Sequence, residues 1–160
     1  MIDEIDQRIL LLLQQNARLS NAAVAEEVGL TVSTIHERVK KLERKGIIKG
    51  YVAVVDAEAV GKPITAFIRL NADSASLNYI ESKRSVQEVC LAEPNVLECH
   101  GVAGDDCYIL KVRAAGPKDL EKLLERIRTN AQVSKSTTSI VLSTFKEGSL
   151  VVPDAVISKQ

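Results

Sequence analysis

Residues 19–46 constrain the fold most strongly, because they hold the start and stop signals of two short helices around one glycine. Ser20 and Thr31 carry hydroxyls that can cap a helix by accepting a hydrogen bond from an unpaired backbone N–H of its first turn. Gly29 supplies the turn between them. Ala25, one helical turn earlier, is small enough for the second helix to cross closely. The pattern predicts a helix-turn-helix.

The second of these helices has two different faces. Ile35, Val39 and Leu42 recur at helical spacing and form an apolar stripe. The remaining surface carries short hydroxyls near the helix start and cations toward its end, which suits base edges and phosphates respectively. The alternative is a surface helix with solvated charges, but the capped pair and its small-residue crossing favour DNA. The predicted DNA-binding residues are Ser33, Thr34, Glu37, Arg38, Lys40, Lys41, Arg44 and Lys45.

The charge of the chain is balanced overall and basic only locally. The 160 residues have a formal net charge of +0, so a DNA-binding surface must come from a local cluster. Residues 36–50 provide one, with Glu37 and Glu43 as the acids among several Lys and Arg. No apolar run approaches the roughly 20 residues that span a bilayer, and the first residues are acidic and polar. We therefore expect a cytoplasmic protein without a membrane segment.

The rest of the chain predicts a second domain. A first helix over about residues 3–15 precedes the helix-turn-helix, and residues 51–55 read as a connecting strand. Strands are then predicted at 64–70, 96–103, 107–113 and 136–145, with helices at about 76–91 and from 117 onward. This βαββαβ order indicates a ferredoxin-like sheet with both helices on one side.

The predicted fold class is therefore α+β, with an N-terminal helix-turn-helix domain and a ferredoxin-like sensor and dimerisation domain. We assign residues 1–50 to the DNA-binding domain, 51–62 to the connecting strand and linker, and 63–160 to the second domain with its C-terminal tail. Strands with apolar residues on both faces predict a second copy of the sheet as cover. A homodimer would also present two recognition helices to two half-sites.

The residues that can carry metal or catalytic chemistry are few. Cys90, Cys99 and Cys107 match no disulfide framework or zinc motif, so we expect free thiols. Cys99 and Cys107 with His100 lack an evident fourth ligand, and we predict neither a metal nor another cofactor. The chain has no nucleophile elbow, phosphate loop or dinucleotide fingerprint. We predict that it is not an enzyme. On fold alone an enzyme or a free-standing metabolite sensor remains the alternative, and binding to DNA at low salt discriminates a DNA-binding regulator from both.

The chain resembles the Lrp/AsnC, or feast/famine, family of transcription regulators over most of its length. One departure is Val32, where the family usually has a proline that opens the recognition helix. The motifs that carry the resemblance are IDQRIL (5–10), NARLS (16–20), VGL (28–30), ERVKKLE (37–43), GIIKGY (46–51), VAGD (102–105), YILKV (108–112) and TSIVL (138–142).

The resemblance implies a sequence-specific regulator whose second domain senses a small molecule, commonly an amino acid. It also implies dimers that associate further, often into octamers, with effector sites at subunit contacts near the hairpin turn and the last strand. The candidate effector-binding residues are Gly104, Asp105, Asp106, Tyr108, Thr138 and Ser139.

These residue types suit an amino acid. The backbone at Gly104 is approachable by a carboxylate, an aspartate can hold an ammonium group, and the strand hydroxyls can donate or accept. Cys107 stands where many relatives carry an acid, so the ammonium contact of that acid is either lost or moved to Asp106. The alternative is ordinary hairpin and strand chemistry. The protein would then be a DNA-binding regulator or architectural protein without an effector.

Overall fold

The computed structural model describes residues 2–72, 79–104, 107–131, 133–148 and 150–153. It divides the chain into two compact units. One comprises Met1–Val54 with Lys146–Gln160, and the other comprises Val55–Phe145. The first unit is helical and the second contains the sheet, which confirms the predicted α+β class.

Three helices form the first unit: α1 (Glu4–Gln15), α2 (Asn21–Val28) and α3 (Val32–Arg44). Their buried apolar side chains pack into one small core. A Val, Leu or Ile side chain contributes roughly 1.5–3 kcal/mol when it is fully removed from water. The fully or nearly fully buried members are Ile9, Val24, Ala25, Ile35 and Leu42.

The predicted caps of the helix-turn-helix are confirmed. The hydroxyl of Ser20 accepts from the N–H of Ala23 at 3.2 Å, and that of Thr31 accepts from the N–H of Thr34 at 3.3 Å. Gly29 ends α2 in the left-handed region at φ 76°, where glycine avoids the Cβ clash of other residues. Local sequence signals therefore set the angle at which α3 leaves α2.

The connecting strand predicted at residues 51–55 is not formed. The segment has no regular secondary structure, and Val52 and Val54 are 82% and 95% exposed. Alternating valines favour extended backbone, but a strand also needs a neighbouring strand for its N–H and C=O groups. Among the described residues no strand pairs with this segment.

The second unit is an antiparallel sheet with two helices. The elements run β1 (Ile64–Ala72), α4 (Tyr79–Ala92), β2 (Val96–Gly101), β3 (Tyr108–Ala114), α5 (Pro117–Ala131) and β4 (Val133–Ile140). The strand order β2-β3-β1-β4 is that of the predicted ferredoxin-like sheet. The last strand begins and ends earlier than predicted, and residues 76–78 of the predicted α4 lie outside the described residues.

Both helices pack on one face of the sheet. Alternate residues of β1 and β3 are buried there, including Ile68 and Leu110, which pair across the two strands. Leu123 and Ile127 of α5 complete the same core. The opposite face carries polar and charged side chains beside Phe67, which is exposed.

Val151, which the sequence prediction assigned to the second domain, contacts α1 of the helical unit. The side-chain amide of Gln14 donates to the carbonyl of Val151 at 3.0 Å, and the N–H of Val151 donates back at 2.7 Å. One side chain thus satisfies both backbone groups of a tail residue, and this pairing draws the tail to α1.

Candidate functional site

The start of α3 presents a cluster of hydroxyl groups to solvent. The Thr31 hydroxyl lies 3.0 Å from that of Ser33 and 2.8 Å from that of Thr34, and all three residues are exposed. Hydroxyls of this kind can donate to or accept from a base edge or a phosphate. The unpaired N–H groups of a helix start also favour anions nearby.

A second polar contact fixes the approach of α2 to α3. The side-chain amide nitrogen of Asn21 lies 3.2 Å from Nδ1 of His36, so the first turn of α2 is tied to the recognition helix. Arg8 similarly ties α1 to the end of α2 by donating to the carbonyl of Glu27 at 2.9 Å. Neither contact is visible in the periodicity of one helix, and sequence analysis did not find them.

The cations of α3 divide into two groups. Lys40, Arg44 and Lys45 are exposed, and within the described ranges none of them forms an ion pair with a carboxylate. Their charges are therefore available to an anionic partner. Lys41 is half-buried. Glu37 is exposed on the same helix and offers an acceptor to a base amino group.

Arg38 differs from the other predicted DNA contacts, because its guanidinium is used inside the helical unit. Nη1 lies 2.7 Å from a carboxylate oxygen of Asp3 and 2.7 Å from one of Asp6. Asp6 is only 1% exposed, and the two aspartates also cap α1 reciprocally. The hydrogen bond from Arg38 is the main cause that lowers the pKa of Asp3, and the two carboxylates raise the pKa of Arg38.

This triad joins the start of α1 to the middle of α3. Arg38 therefore helps to position α3 within the helical unit, and we propose that it does not contact DNA. Asp3 caps α1 and Asp6 stands three residues later in the same cap. A second acid at this spacing is a sequence signal for a cationic partner, because a carboxylate that becomes buried needs a charged donor.

The carboxylate of Glu43, also on α3, accepts a hydrogen bond from a tyrosine. The Tyr51 hydroxyl donates to a carboxylate oxygen of Glu43 at 2.9 Å. Burial, together with this hydrogen bond and the negative charge of Glu43, raises the pKa of Tyr51. The contact fixes the start of the segment that follows α3.

The predicted effector residues that the structure describes are not gathered into one pocket of the protomer. Gly104 is exposed at φ 141°, in a region that favours glycine, whereas Tyr108 is buried in the core beneath the helices. Asp105 and Asp106 lie outside the described residues. Gly104 is therefore accessible to a ligand, but Tyr108 is an internal residue.

The two predicted hydroxyls of β4 lie on opposite faces of the sheet. Thr138 pairs with Ile68, which faces the helices, whereas Ser139 pairs with Phe67 on the other face. Thr138 contributes to a cavity of about 440 Å³ beside α5, with Lys118 and Glu121. A single pocket within one protomer can therefore use only one of the two hydroxyls.

The cysteines are free, as predicted. Cys99 and His100 are adjacent on β2 and face opposite sides of the sheet, because they pair with Leu110 and Ile109 respectively. Among the residues the structure describes, no group of three or more His, Cys, Asp or Glu side chains is placed to hold a metal ion.

Comparison with known proteins matches both units. A family model described as winged helix-turn-helix DNA-binding matches residues 2–49, and one described as the Lrp/AsnC ligand-binding domain matches residues 65–151. The chain is 35% identical over 92% of its length to the HTH-type transcriptional regulator AldR of Mycolicibacterium smegmatis, covering 85% of that protein. The chain belongs to the Lrp/AsnC family.

Two further likenesses span nearly the whole chain. The HTH-type transcriptional regulator LrpA of Mycobacterium tuberculosis is 34% identical over 90% of this chain and 92% of its own length. A transcriptional regulator of Neisseria meningitidis, solved as an L-methionine complex, has a TM-score of 0.89 at 27% identity. The similarity covers 98% of this chain and 99% of the Neisseria meningitidis chain.

These findings establish the broad function. The protein is a helix-turn-helix transcription regulator with the Lrp/AsnC ligand-binding domain, as the sequence resemblance predicted. Its relatives are named as transcription regulators and not as enzymes, which confirms that prediction too. Across the described parts of the chain, no helix combines the length and apolar character needed to cross a membrane.

Proposed function

We propose that this Lrp/AsnC regulator reads double-stranded DNA with the exposed face of α3. The observation that carries the proposal is the order of groups along that helix. Hydroxyls of Ser33 and Thr34 stand at its start, and the exposed cations Lys40, Arg44 and Lys45 follow toward its end. A recognition helix uses its first residues on base edges and its later cations on phosphates.

The proposed contacts have separate signatures. Contacts to phosphates do not depend on the DNA sequence. They make the logarithm of the binding constant fall with the logarithm of the salt concentration, with a slope of about −0.9 per contact. Lys40→Ala and Arg44→Ala should each weaken binding to specific and unrelated DNA alike and reduce that slope by about one. Lys122→Ala, on an exposed position of α5, is the matched control and should change neither quantity. Fluorescence anisotropy across a salt series measures both, and slopes equal to wild type in both α3 variants would remove this face from the DNA surface.

We also propose that the protein acts as a homodimer that assembles further. In the second unit Leu142 and Phe145 are 96% and 98% exposed, which is unusual for large apolar residues in a monomer. A second copy of this chain is the cover we propose, because a two-fold dimer presents two recognition helices to two half-sites. Octamers are the larger assembly that the family resemblance implies.

The ligand we propose for the second domain is an amino acid. Support comes from the match to the Lrp/AsnC ligand-binding domain and from the Neisseria meningitidis relative, whose structure is an L-methionine complex. We place the carboxylate at the backbone of Gly104 and the ammonium group at Asp105 or Asp106. Ser139 or Thr138 supplies a hydroxyl, and because these two side chains lie on opposite faces of the sheet, we infer a site completed at a subunit contact.

An effector can alter DNA binding only through different affinities for two states of the protein. We therefore expect the amino acid to shift the distribution of oligomers or the affinity for paired sites. The proposed place of action is the cytoplasm, where the DNA of bacteria and archaea lies. An amino acid that leaves both quantities unchanged would favour the architectural alternative.

A further inference from the structure

Two thiols face each other between a helix and the edge of the sheet. Cys90 lies on α4 one turn after Val86, which is fully buried, so Cys90 points toward the sheet. Cys99 lies on β2 opposite Leu110, whose side chain is buried under the helices. Both cysteines line one cavity of about 590 Å³.

An irregularity in β2 turns the side chain of Cys99 toward α4. Val96 pairs with Val112, but Glu98 pairs with Lys111, so the register shifts by one residue around Leu97. In an unbroken ladder Cys99 would stand opposite Ile109 and point away from α4. A bulge of this kind re-aims the side chains that follow it. The backbone of β2 is therefore built so that Cys99 meets Cys90.

The pair has the chemistry of an attacking and a resolving thiol. The S–H of Cys90 donates to the sulfur of Cys99, and this hydrogen bond, with the nearby charge of His100, lowers the pKa of Cys99 to about 7. The same hydrogen bond and burial raise the pKa of Cys90. Cys99 is exposed and Cys90 is half-buried. An exposed thiol that ionises near neutral pH is the nucleophile that oxidants select.

We propose that Cys90 and Cys99 are a reversible oxidation site, which a hydroperoxide converts to an intramolecular disulfide between α4 and β2. The Cys99 thiolate attacks one oxygen of hydrogen peroxide and breaks the O–O bond, which gives a sulfenic acid and hydroxide. The Cys90 sulfur then attacks the Cys99 sulfur. The S–S bond forms, the S–O bond breaks, and the departing hydroxyl leaves as water with the Cys90 proton.

In sum, two thiols and one hydrogen peroxide give one disulfide and two waters. A dithiol reductant reverses the step by thiol–disulfide exchange. The product closes the short loop between α4 and β2 and fixes the wall of the cavity that both residues line.

The test uses the full-length protein treated with hydrogen peroxide, blocked with N-ethylmaleimide and digested without reduction. Trypsin alone is insufficient, because all three cysteines lie in the segment 85–111, which has no internal Lys or Arg. Added Glu-C protease cleaves after Glu88 and Glu98 and separates Cys90 from Cys99. Mass spectrometry should find residues 89–98 joined to residues 99–111, two hydrogen atoms lighter than the free peptides together, and dithiothreitol should release them.

Two variants decide which thiols react. Cys107→Ser is the matched control, because this third cysteine also lies in the second unit, and it should keep the cross-link to residues 89–98. Cys90→Ser should lose the cross-link and leave Cys99 as a sulfenic acid that dimedone labels. The proposal is overturned if Cys90 of the wild type remains fully alkylated after peroxide treatment. It is equally overturned if the cross-link requires Cys107 or joins only different protomers.

Discussion

Removal of the Arg38 guanidinium should destabilise the helical unit without changing the DNA surface. In Arg38→Gln the carboxylate of Asp6, which is 1% exposed, loses a charged donor at 2.7 Å. Such a loss costs about 1.5–3 kcal/mol, and the more exposed pair with Asp3 adds at most about 1 kcal/mol. We therefore expect a loss of about 2–4 kcal/mol. The low half of that range is favoured, because Arg38 is 24% exposed and water can reach part of the vacated space.

Thermal unfolding followed by far-ultraviolet circular dichroism measures this loss. At roughly 4–8 °C per kcal/mol for a small domain, the transition of the helical unit should fall by about 8 °C or more. Asp6→Asn in the same chain removes the buried charge, so the double variant should lose less than the sum of the two single variants. The salt slope of DNA binding should equal that of wild type. An unchanged unfolding temperature together with a reduced slope would refute the structural role and return Arg38 to the DNA contacts.

The same triad predicts a pH dependence. Because Arg38 lowers the pKa of Asp3, the folded state favours the ionised carboxylate more than the unfolded state does. The contribution of this pair to the free energy of unfolding is complete above the ordinary aspartate pKa of about 3.9. It is lost as pH falls through the lower pKa of the folded state. The gap in unfolding temperature between wild type and Arg38→Gln should therefore narrow below about pH 4. A gap that widens there would contradict the assignment.

Two further predictions concern the second unit. Leu142→Ser with Phe145→Ser should shift sedimentation toward the monomer, whereas Leu91→Ser, an exposed control on α4, should not; an unchanged oligomer would place the interface elsewhere. Asp106→Ala should abolish the binding of the amino acid that wild type binds in calorimetry, yet leave affinity for a single DNA half-site intact. Calorimetry over the twenty amino acids that detects no binding to wild type would defeat the effector proposal.

The elements that sequence analysis predicted well are those set by local chemistry. Ser20, Gly29 and Thr31 each act within one turn of the chain, and the two predicted hydroxyl caps and the predicted glycine turn were confirmed. The order of strands and helices in the second unit was also predicted, because apolar periodicity and turn residues mark each element. Such signals do not depend on which distant residues meet.

The features that were missed depend on distant partners. Arg38 meets aspartates near the chain start, so its helix face alone suggested a solvent-exposed DNA contact. Residues 51–55 have strand propensity, but among the described residues no strand pairs with them. The register shift around Leu97 is set by pairing with β3 and turns Cys99 toward the helices. The opposite faces of Thr138 and Ser139, by contrast, follow from the alternation of side chains along the predicted strand.

The central claim is that α3 chooses the DNA sequence, and selection from a random duplex library tests it most directly. Wild type should enrich a two-fold symmetric motif, because a dimer presents two copies of α3. The double variant Ser33→Ala with Glu37→Ala should enrich a different or degenerate half-site at the same half-site spacing, since only the base contacts change. Enrichment of one identical motif by both proteins would contradict the account.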